Sequence, residues 1–227
     1  MTAPVSVIIP VLDAVPTIGP TLAAIVPGVA DGLVREVVLA DGGSTDAIAE
    51  VAEETGARLV AAERGRGSQL AAGGEAARGQ WLLFLHADTI LPPDWPEIAL
   101  RHMQRHEGKA GYFRLRFDSD RRYARWTEGW ANIRSRALGL PYGDQGLLIS
   151  RALYDETGGF RAMPLMEDVA MARALRGRLR SLGASVTTSA ERYEREGYWR
   201  RGWRNWGCLG LYFMGVSPDK IATRYRK

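Results

Sequence analysis

A chain of 227 residues with 46% hydrophobic residues can bury one large core and is too apolar to be disordered. Its single cysteine, Cys208, excludes an intramolecular disulfide framework and fits a reducing cytoplasm. The net charge of +4 hides a split: residues 1–100 carry −8, residues 101–190 carry +7 and residues 191–227 carry +5. A basic half invites anionic ligands, lipid headgroups or nucleic acid, although a solvated arginine surface explains most of these residues equally well.

Val5 to Ile9 is too short for the apolar region of a signal peptide, and no apolar run approaches the roughly 18 residues of a spanning helix. A cytoplasmic protein is therefore expected. Val5 to Ile9 reads as a buried first strand ended by Pro10, followed by a loop punctuated by Pro16 and Pro20. A helix over Thr21 to Val26 and a second strand over Val34 to Ala40 follow. Asp41 to Asp46 is a turn in which Ser44 or Thr45 caps a helix running to Thr55. Arg58 to Ala61 is a third strand. The Gly-flanked loop of Arg64 and Arg66 leads to a small-residue helix, Gln69 to Ala77, weakened by Gly73 and Gly74. Trp81 to Leu85 is the fourth strand, so the first 90 residues read as the alternation of a parallel sheet.

In the second half, Trp95 to His106 reads as helix, and Tyr112 to Phe117 alternates apolar and basic residues as a half-exposed strand does. Arg121 to Leu138 reads as a long amphipathic helix, Gly146 to Ser150 as a short strand and Arg151 to Thr157 as a helix. A helix over Asp168 to Leu179, a strand over Val186 to Ala190 and a partly helical aromatic tail over Tyr198 to Met214 complete the chain.

Acids stand at three element ends: Asp41, Asp88 and the pair Glu167–Asp168. Ligands of parallel α/β sheets collect beyond the carboxyl ends of strands. Asp88 there suits Mg²⁺ or Mn²⁺, which take oxygen ligands and bridge to phosphates. A carboxylate of the Glu167–Asp168 pair suits a general base. The ordinary reading of each acid alone is a turn or cap. Arg64 and Arg66 can grip a diphosphate or stand solvated. His86 reads as a metal or phosphate contact or as a hydrogen-bonded neighbour of Asp88, while His102 and His106, four apart, read as a surface pair. No G-x-G-x-x-G follows the first strand and no G-x-x-x-x-G-K-[ST] is present, which speaks against a dinucleotide dehydrogenase and a P-loop enzyme.

Five segments in order resemble a family 2 glycosyltransferase: Val5 to Asp13, Asp41 to Asp46, Leu83 to Asp88, Gly158 to Phe160 and Met166 to Val169. The resemblance covers residues 4–180. It implies an α/β, mostly parallel mixed sheet flanked by helices, the Rossmann-like A-type nucleotide-diphospho-sugar transferase fold. It implies a catalytic domain over residues 1–190, with a nucleotide-binding half over 1–90 and an acceptor half over 91–190, and an aromatic, basic extension over 191–227. It also implies inverting sugar transfer from a nucleotide-diphosphate donor, most simply a UDP-sugar, to an acceptor hydroxyl, with Mn²⁺ or Mg²⁺ as cofactor. Carried over by position, Pro10, Val11, Leu12, Asp13, Asp41 and Ala87 contact the nucleotide-sugar along with Arg64 or Arg66. Asp88 and His86 hold the metal, Asp168 beside Glu167 is the base, and Tyr142, Asp144 and Gln145 lie on the acceptor side. Tyr142 to Gly146 and the aromatic tail through Gly215 to Pro218 further resemble a bacterial subgroup linked to arsenosugar-biosynthesis and radical-SAM gene clusters.

Four positions depart from the family pattern: His86 replaces the first Asp of the metal motif, Gly42 replaces an Asp, and Leu70 and Ala71 stand where Asn and Arg are common. These departures keep open a degenerate nucleotide-sugar-binding protein, and the shared sheet type keeps open a sugar nucleotidyltransferase. Nucleic-acid binding rests on charge alone and is not expected. Trp199, Trp203, Trp206, Arg200, Arg201 and Arg204 give the tail two equal readings. It docks at the inner face of a membrane carrying a lipid-linked acceptor, or it packs on the catalytic domain and covers the acceptor cleft.

Overall fold

The structure, a computed structural model, describes residues 3–225; Met1, Thr2, Arg226 and Lys227, at the outer ends of the two regions expected above, lie outside the described residues. In chain order the elements are β1 (Val5–Val11), α1 (Val15–Ala30), β2 (Val34–Asp41), α2 (Ile48–Thr55), β3 (Arg58–Ala61), α3 (Arg66–Ala76), β4 (Trp81–Phe84), β5 (Thr89–Ile90) and α4 (Trp95–Arg105). They continue with β6 (Ala110–Phe117), α5 (Arg122–Leu138), a 3₁₀ turn (Gly143–Gln145), β7 (Leu147–Ser150), α6 (Arg151–Glu156), α7 (Glu167–Ala174) and β8 (Leu179–Thr188). The tail forms α8 (Glu191–Glu196), α9 (Tyr198–Phe213) and α10 (Pro218–Tyr225).

The strands form one sheet in the order β3-β2-β1-β4-β7-β6-β8-β5. β1 to β4 are mutually parallel, β7 is antiparallel to β4 and β6, β8 returns parallel to β6, and β5 pairs antiparallel with β8. This is the mostly parallel mixed sheet that the alternation of elements and the resemblance call for. Buried strands carry continuous apolar runs because both faces are covered. One face packs Val7, Ile9, Leu39 and Leu83 under α1, α2 and α4, and the other packs Ile8, Val38, Leu82 and Ile149 under α3, α6 and α7. No helix among the described residues is long and apolar enough to cross a membrane.

Several expectations are corrected. β1 does not stop at Pro10 but runs through it to Val11. Ile8 O accepts from Leu85 N on the β4 side. Pro10, two residues on, presents the same edge beyond the last β4 pair, where its missing N–H costs nothing. Pro16 and Pro20 do not punctuate a loop: α1 starts at Val15 and contains Pro20 and Pro27. Burial of Ile18, Thr21, Ile25 and Gly28 against the sheet and α4 outweighs the lost backbone bonds. Gly73 and Gly74 are not merely weak helix residues. A Cβ at Gly73 would sit 2.5 Å from Ile8 Cγ2 and one at Gly74 would sit 2.5 Å from Tyr154 Oη, so both let α3 lie flat on its neighbours.

α7 ends at Ala174 instead of Leu179, and the chain turns at Gly177 (φ 79°) into a ten-residue β8 that starts well before Val186. β5, unmarked by any periodicity, forms because its two residues complete the edge of β8. His102 is not a surface residue. It is buried, its Nε2 pairs with Lys109 O at 2.9 Å, and burial lowers its pKa. Neither Ser44 nor Thr45 caps α2, which has no side-chain cap; both residues reach across to other partners.

Candidate active site

At the carboxyl ends of β1 and β2, short polar side chains lock two loops together. Asp41 Oδ1 accepts from Ser44 N (2.9 Å) and Ser44 Oγ (2.5 Å), and Ser44 Oγ accepts from Asp13 N (3.0 Å). Asp13, in the left-handed region at φ 49°, accepts from Thr45 N (2.7 Å) and Thr45 Oγ1 (3.1 Å), and these bonds hold its pKa below the usual carboxylate range. Asp46 Oδ2 accepts from Val15 N at 2.8 Å and so satisfies the start of α1. Beneath them the buried amide of Gln69 donates to Val11 O (2.6 Å) and Ala40 O (2.9 Å). A Cβ at Gly42 would lie 3.0 Å from Gln69, so the glycine at this family acid position is coupled to the amide below it.

A cleft of about 520 Å³ opens beside this lock. Its floor comes from the end of β4, the 3₁₀ turn and the start of α7, which present His86, Asp88, Tyr142, Asp144, Glu167 and Asp168, with Arg66 from the first turn of α3. Met166, immediately before Glu167, adopts φ 69°, an unfavourable conformation for a side chain of its size. Backbone held in this way commonly accompanies a residue that must be aimed. Asp168 Oδ2 accepts from Gly143 N (3.2 Å) and Oδ1 from Val169 N (2.7 Å), so each oxygen keeps acceptor capacity toward the cleft. A Cβ at Gly143 would lie 2.5 Å from His86 Nε2, so the turn passes directly over the imidazole.

Four carboxylates around one arginine set the electrostatics. Glu167 has a side chain only 2% exposed and lies 3.6 Å from Arg66. Burial, aided by Asp168 and opposed by Arg66, pushes its pKa up to about 7. Asp144 is pushed up to about 6, first by desolvation and then by Asp168 and Asp88, against the pull of Arg134. Arg66 loses hydration, but Glu167, Asp168, Asp144 and Asp88 outweigh that loss and raise its pKa. Arg134 lies 3.2 Å over the Tyr142 ring, and burial raises the phenol to about 12.

The tail closes the opposite side. Arg195, Glu196, Arg201, Arg204, Asn205 and Tyr225 line the cleft. Glu196 bonds Arg201 at 3.0 Å and also pairs with Arg204. Cys208, Leu209 and Ile221 bury against Leu140, Met166 and Val169, which anchors this wall to the catalytic loops.

The candidate residues thus divide. Arg66, His86, Asp88, Tyr142, Asp144, Glu167 and Asp168 line one cleft. Pro10, Val11, Leu12, Asp13 and Asp41 stand along the neighbouring strand ends. Arg64 is exposed outside the cleft lining and its charge acts on Asp13. Ala87 packs against the core and its carbonyl accepts from Thr21 Oγ1 at 3.0 Å. Gln145 does not face the cleft: it is fully buried, bonding Ser135 Oγ at 2.6 Å, Tyr142 N at 3.2 Å and Phe113 O at 3.0 Å. Gln69 and Arg134 carry no local motif and are found only through the fold; Met166 stands in the matched segment Met166 to Val169, and the tail residues of the wall fit the reading in which the tail covers the cleft.

Among the described residues no three His, Cys, Asp or Glu side chains group as a metal site. Asp88 and His86, two residues apart beyond β4, both line the cleft. That fits a hard divalent cation whose remaining oxygens come from a diphosphate, since such ions commonly use one or two carboxylates plus substrate phosphates.

Residues 6–164 match the family model "Glycosyl transferase family 2". A glucosyl-3-phosphoglycerate synthase of Mycolicibacterium paratuberculosis is 38% identical over 97 residues, covering 39% of this chain and 29% of that protein. S. aureus TarS matches in structure with a TM-score of 0.65 at 18% identity, over 82% of this chain and 60% of its own. Glucosyl-3-phosphoglycerate synthase of Mycobacterium tuberculosis, in complex with Mn²⁺, uridine diphosphate and phosphoglyceric acid, matches with a TM-score of 0.55 at 23% identity, over 80% and 69%. The chain therefore spans less than a third of its curated relative, and the likenesses in structure establish the A-type glycosyltransferase fold. With the family model covering well over half its length, the chain belongs to glycosyl transferase family 2.

Proposed function

We propose that this protein transfers a sugar from a UDP-sugar to an acceptor hydroxyl with inversion, and that Asp168 is the general base. The observation that carries the reading is the convergence of Asp88 and Asp168, from different elements, on one cleft beside the locked ends of β1 and β2. Residues 1–90 then form the nucleotide half and residues 91–190 the acceptor half. Asp13 and Asp41, with Pro10, Val11 and Leu12, frame the base and ribose. Their order comes from the Ser44 and Thr45 bonds, so the pocket is set before ligand arrives.

Asp88 and His86 would hold Mn²⁺ against the diphosphate, where the ion would act as a Lewis acid for the leaving group. The M. tuberculosis synthase is solved with Mn²⁺ and uridine diphosphate, which supports that choice of metal and nucleotide. Asp168 accepts the acceptor proton while the main-chain donors Gly143 and Val169 fix its plane. Glu167 is enclosed and paired with Arg66, so it orients the guanidinium toward the cleft instead of meeting the acceptor. Placement near the arsenosugar-linked subgroup rests on Tyr142 to Gly146 and Gly215 to Pro218, and a cytoplasmic setting rests on the use of nucleotide-sugar.

Asp168→Asn should lower kcat by about 10²–10⁴-fold with UDP binding retained. Asp88→Ala should abolish the Mn²⁺ dependence of UDP-sugar binding, read by thermal shift. Near-normal turnover in the first, or metal-independent binding in the parent protein, would refute the corresponding assignment.

A further inference from the structure

The chain has seven tryptophans. Trp81 and Trp95 are buried; the other five lie together on one outer face built by α5 and α9, with exposures from 45% to 74%. Trp126 and Trp199 rings stand 4.8 Å apart, Trp126 and Trp130 5.8 Å, and Trp130 and Trp206 6.4 Å, with Tyr123 6.4 Å from Trp199. On α9 the spacing 199, 203, 206 is a single helical stripe, while Arg201, Asn205 and Cys208 on the reverse side line the cleft. Burying this much aromatic surface within the chain would have been favourable, so leaving it in water marks a contact surface.

We infer that this face docks on an anionic lipid bilayer. Two observations select the occupant. First, the face is made mainly of tryptophan and tyrosine, side chains with an apolar body and a polar edge that settle at the headgroup boundary. Second, Arg122, Arg136 and Arg200 are exposed at its borders and make no ion pair among the described residues. The nearby acids are engaged: Arg121 bonds Glu194, and Arg125 bonds Asp120 and Glu128. The free charge around the aromatic face is therefore positive. A symmetric second copy would set these arginines against their own counterparts, whereas acidic headgroups would neutralise them. Because α9 is both the docking helix and a cleft wall, docking would place the cleft at the headgroup layer. That consequence for the acceptor rests on the glycosyl-transfer reading, whereas docking itself does not.

The test is co-sedimentation of the full chain with phosphatidylcholine vesicles, with and without phosphatidylglycerol, at about 0.15 M salt, together with tryptophan emission. Binding to the anionic vesicles with a blue shift is expected. A Trp203→Ser variant should weaken that binding severalfold while keeping the parent melting temperature, since this side chain is 74% exposed. Arg200→Gln and Arg122→Gln should each weaken it about fivefold. Failure of the parent protein to bind anionic vesicles overturns the inference. So does a concentration-dependent dimer in sedimentation velocity that Trp203→Ser dissociates, because it assigns the face to a second copy. Neither result touches UDP binding or turnover, which test the transfer reading separately.

Discussion

On the strand-end side of the cleft, carboxylates are held by main-chain donors. Asp168 takes Gly143 N and Val169 N, Asp41 takes Ser44 N, and Asp13 takes Thr45 N. On the tail side, polar groups are held by one another: Glu196 pairs with Arg201 and Arg204, and Asn205 reaches Tyr193 Oη at 3.4 Å. Main-chain donors belong to the sheet and its loops and cannot rotate away. The wall's ion pairs join side chains that are 13–29% exposed and that line the cleft, so they hold their charge by mutual pairing and not by main-chain donors. On the proposed reading, the acidic, rigid floor serves a metal and an incoming hydroxyl. The basic wall has two arginines sharing one glutamate, a pairing of the kind that guanidinium groups also make with phosphate oxygens.

The sharpest way to break the contrast is to disturb the floor without touching a carboxylate. Gly143→Ala would place a methyl group 2.5 Å from His86 Nε2 as built. Either the imidazole or the turn must shift, and the turn carries the N–H that holds Asp168. A loss of about a hundredfold in kcat/KM is expected, because displacements near 1 Å cost that much. Arg204→Gln in the wall should leave kcat nearly unchanged, since it removes a pairing with Glu196 and no reacting group. Equal kcat losses in both variants would erase the distinction between floor and wall.

A second test goes beneath the floor. Gln69 spans the ends of β1 and β2 through two buried carbonyls. Gln69→Ala removes two buried hydrogen bonds, although Val11 O keeps Gly42 N at 3.1 Å, and should cost about 1–3 kcal/mol, seen as a fall in Tm of about 2–12 °C. Gly42→Asp, which restores the family acid, should also destabilise, because its Cβ meets the same amide at 3.0 Å. Stabilisation by Gly42→Asp would mean that the glycine is not coupled to Gln69.

These residues also mark the limit of what the sequence discloses. β1, β2 and β4 are apolar runs because both faces of the sheet are covered, and acids at their ends are visible by position alone. Asp41 and Asp88 could therefore be picked out by position, whereas Asp168, in the first turn of α7, was singled out by the family resemblance. Gln69 could not: within Gly67 to Gly74 it reads as one polar residue in a small-residue helix, and only the crossing of α3 over β1 and β2 puts its amide under two carbonyl ends. Only the middle of α1, Thr21 to Val26, was legible; its first turns were hidden by Pro16 and Pro20, whose local penalty is outweighed by burial of Ile18 and Ile25. The aromatic tail was legible as amphipathic but not as two-sided. Only its docking through Cys208, Leu209 and Ile221 decides which residues line the cleft and which meet solvent.

The smallest expected effect is electrostatic and reads the floor through stability. Glu167 and Asp144 have folded-state pKa values of about 7 and about 6, above their ordinary values. In the native state they hold protons that the unfolded chain releases, so their contribution to stability is full at low pH and is lost as pH rises through 6 and then 7. The parent protein should therefore lose stability from about pH 4, the ordinary carboxylate range, to about pH 7 as these two groups ionise. Glu167→Gln should flatten the upper part of that slope and leave the part set by Asp144. It should also be no less stable than the parent above pH 7, where it replaces a buried charge by a neutral amide that still accepts from Arg66. A slope unchanged by Glu167→Gln, measured by denaturant unfolding across this range, would mean that Arg66 fully balances the buried carboxylate. The floor would then be as easily neutralised as the wall.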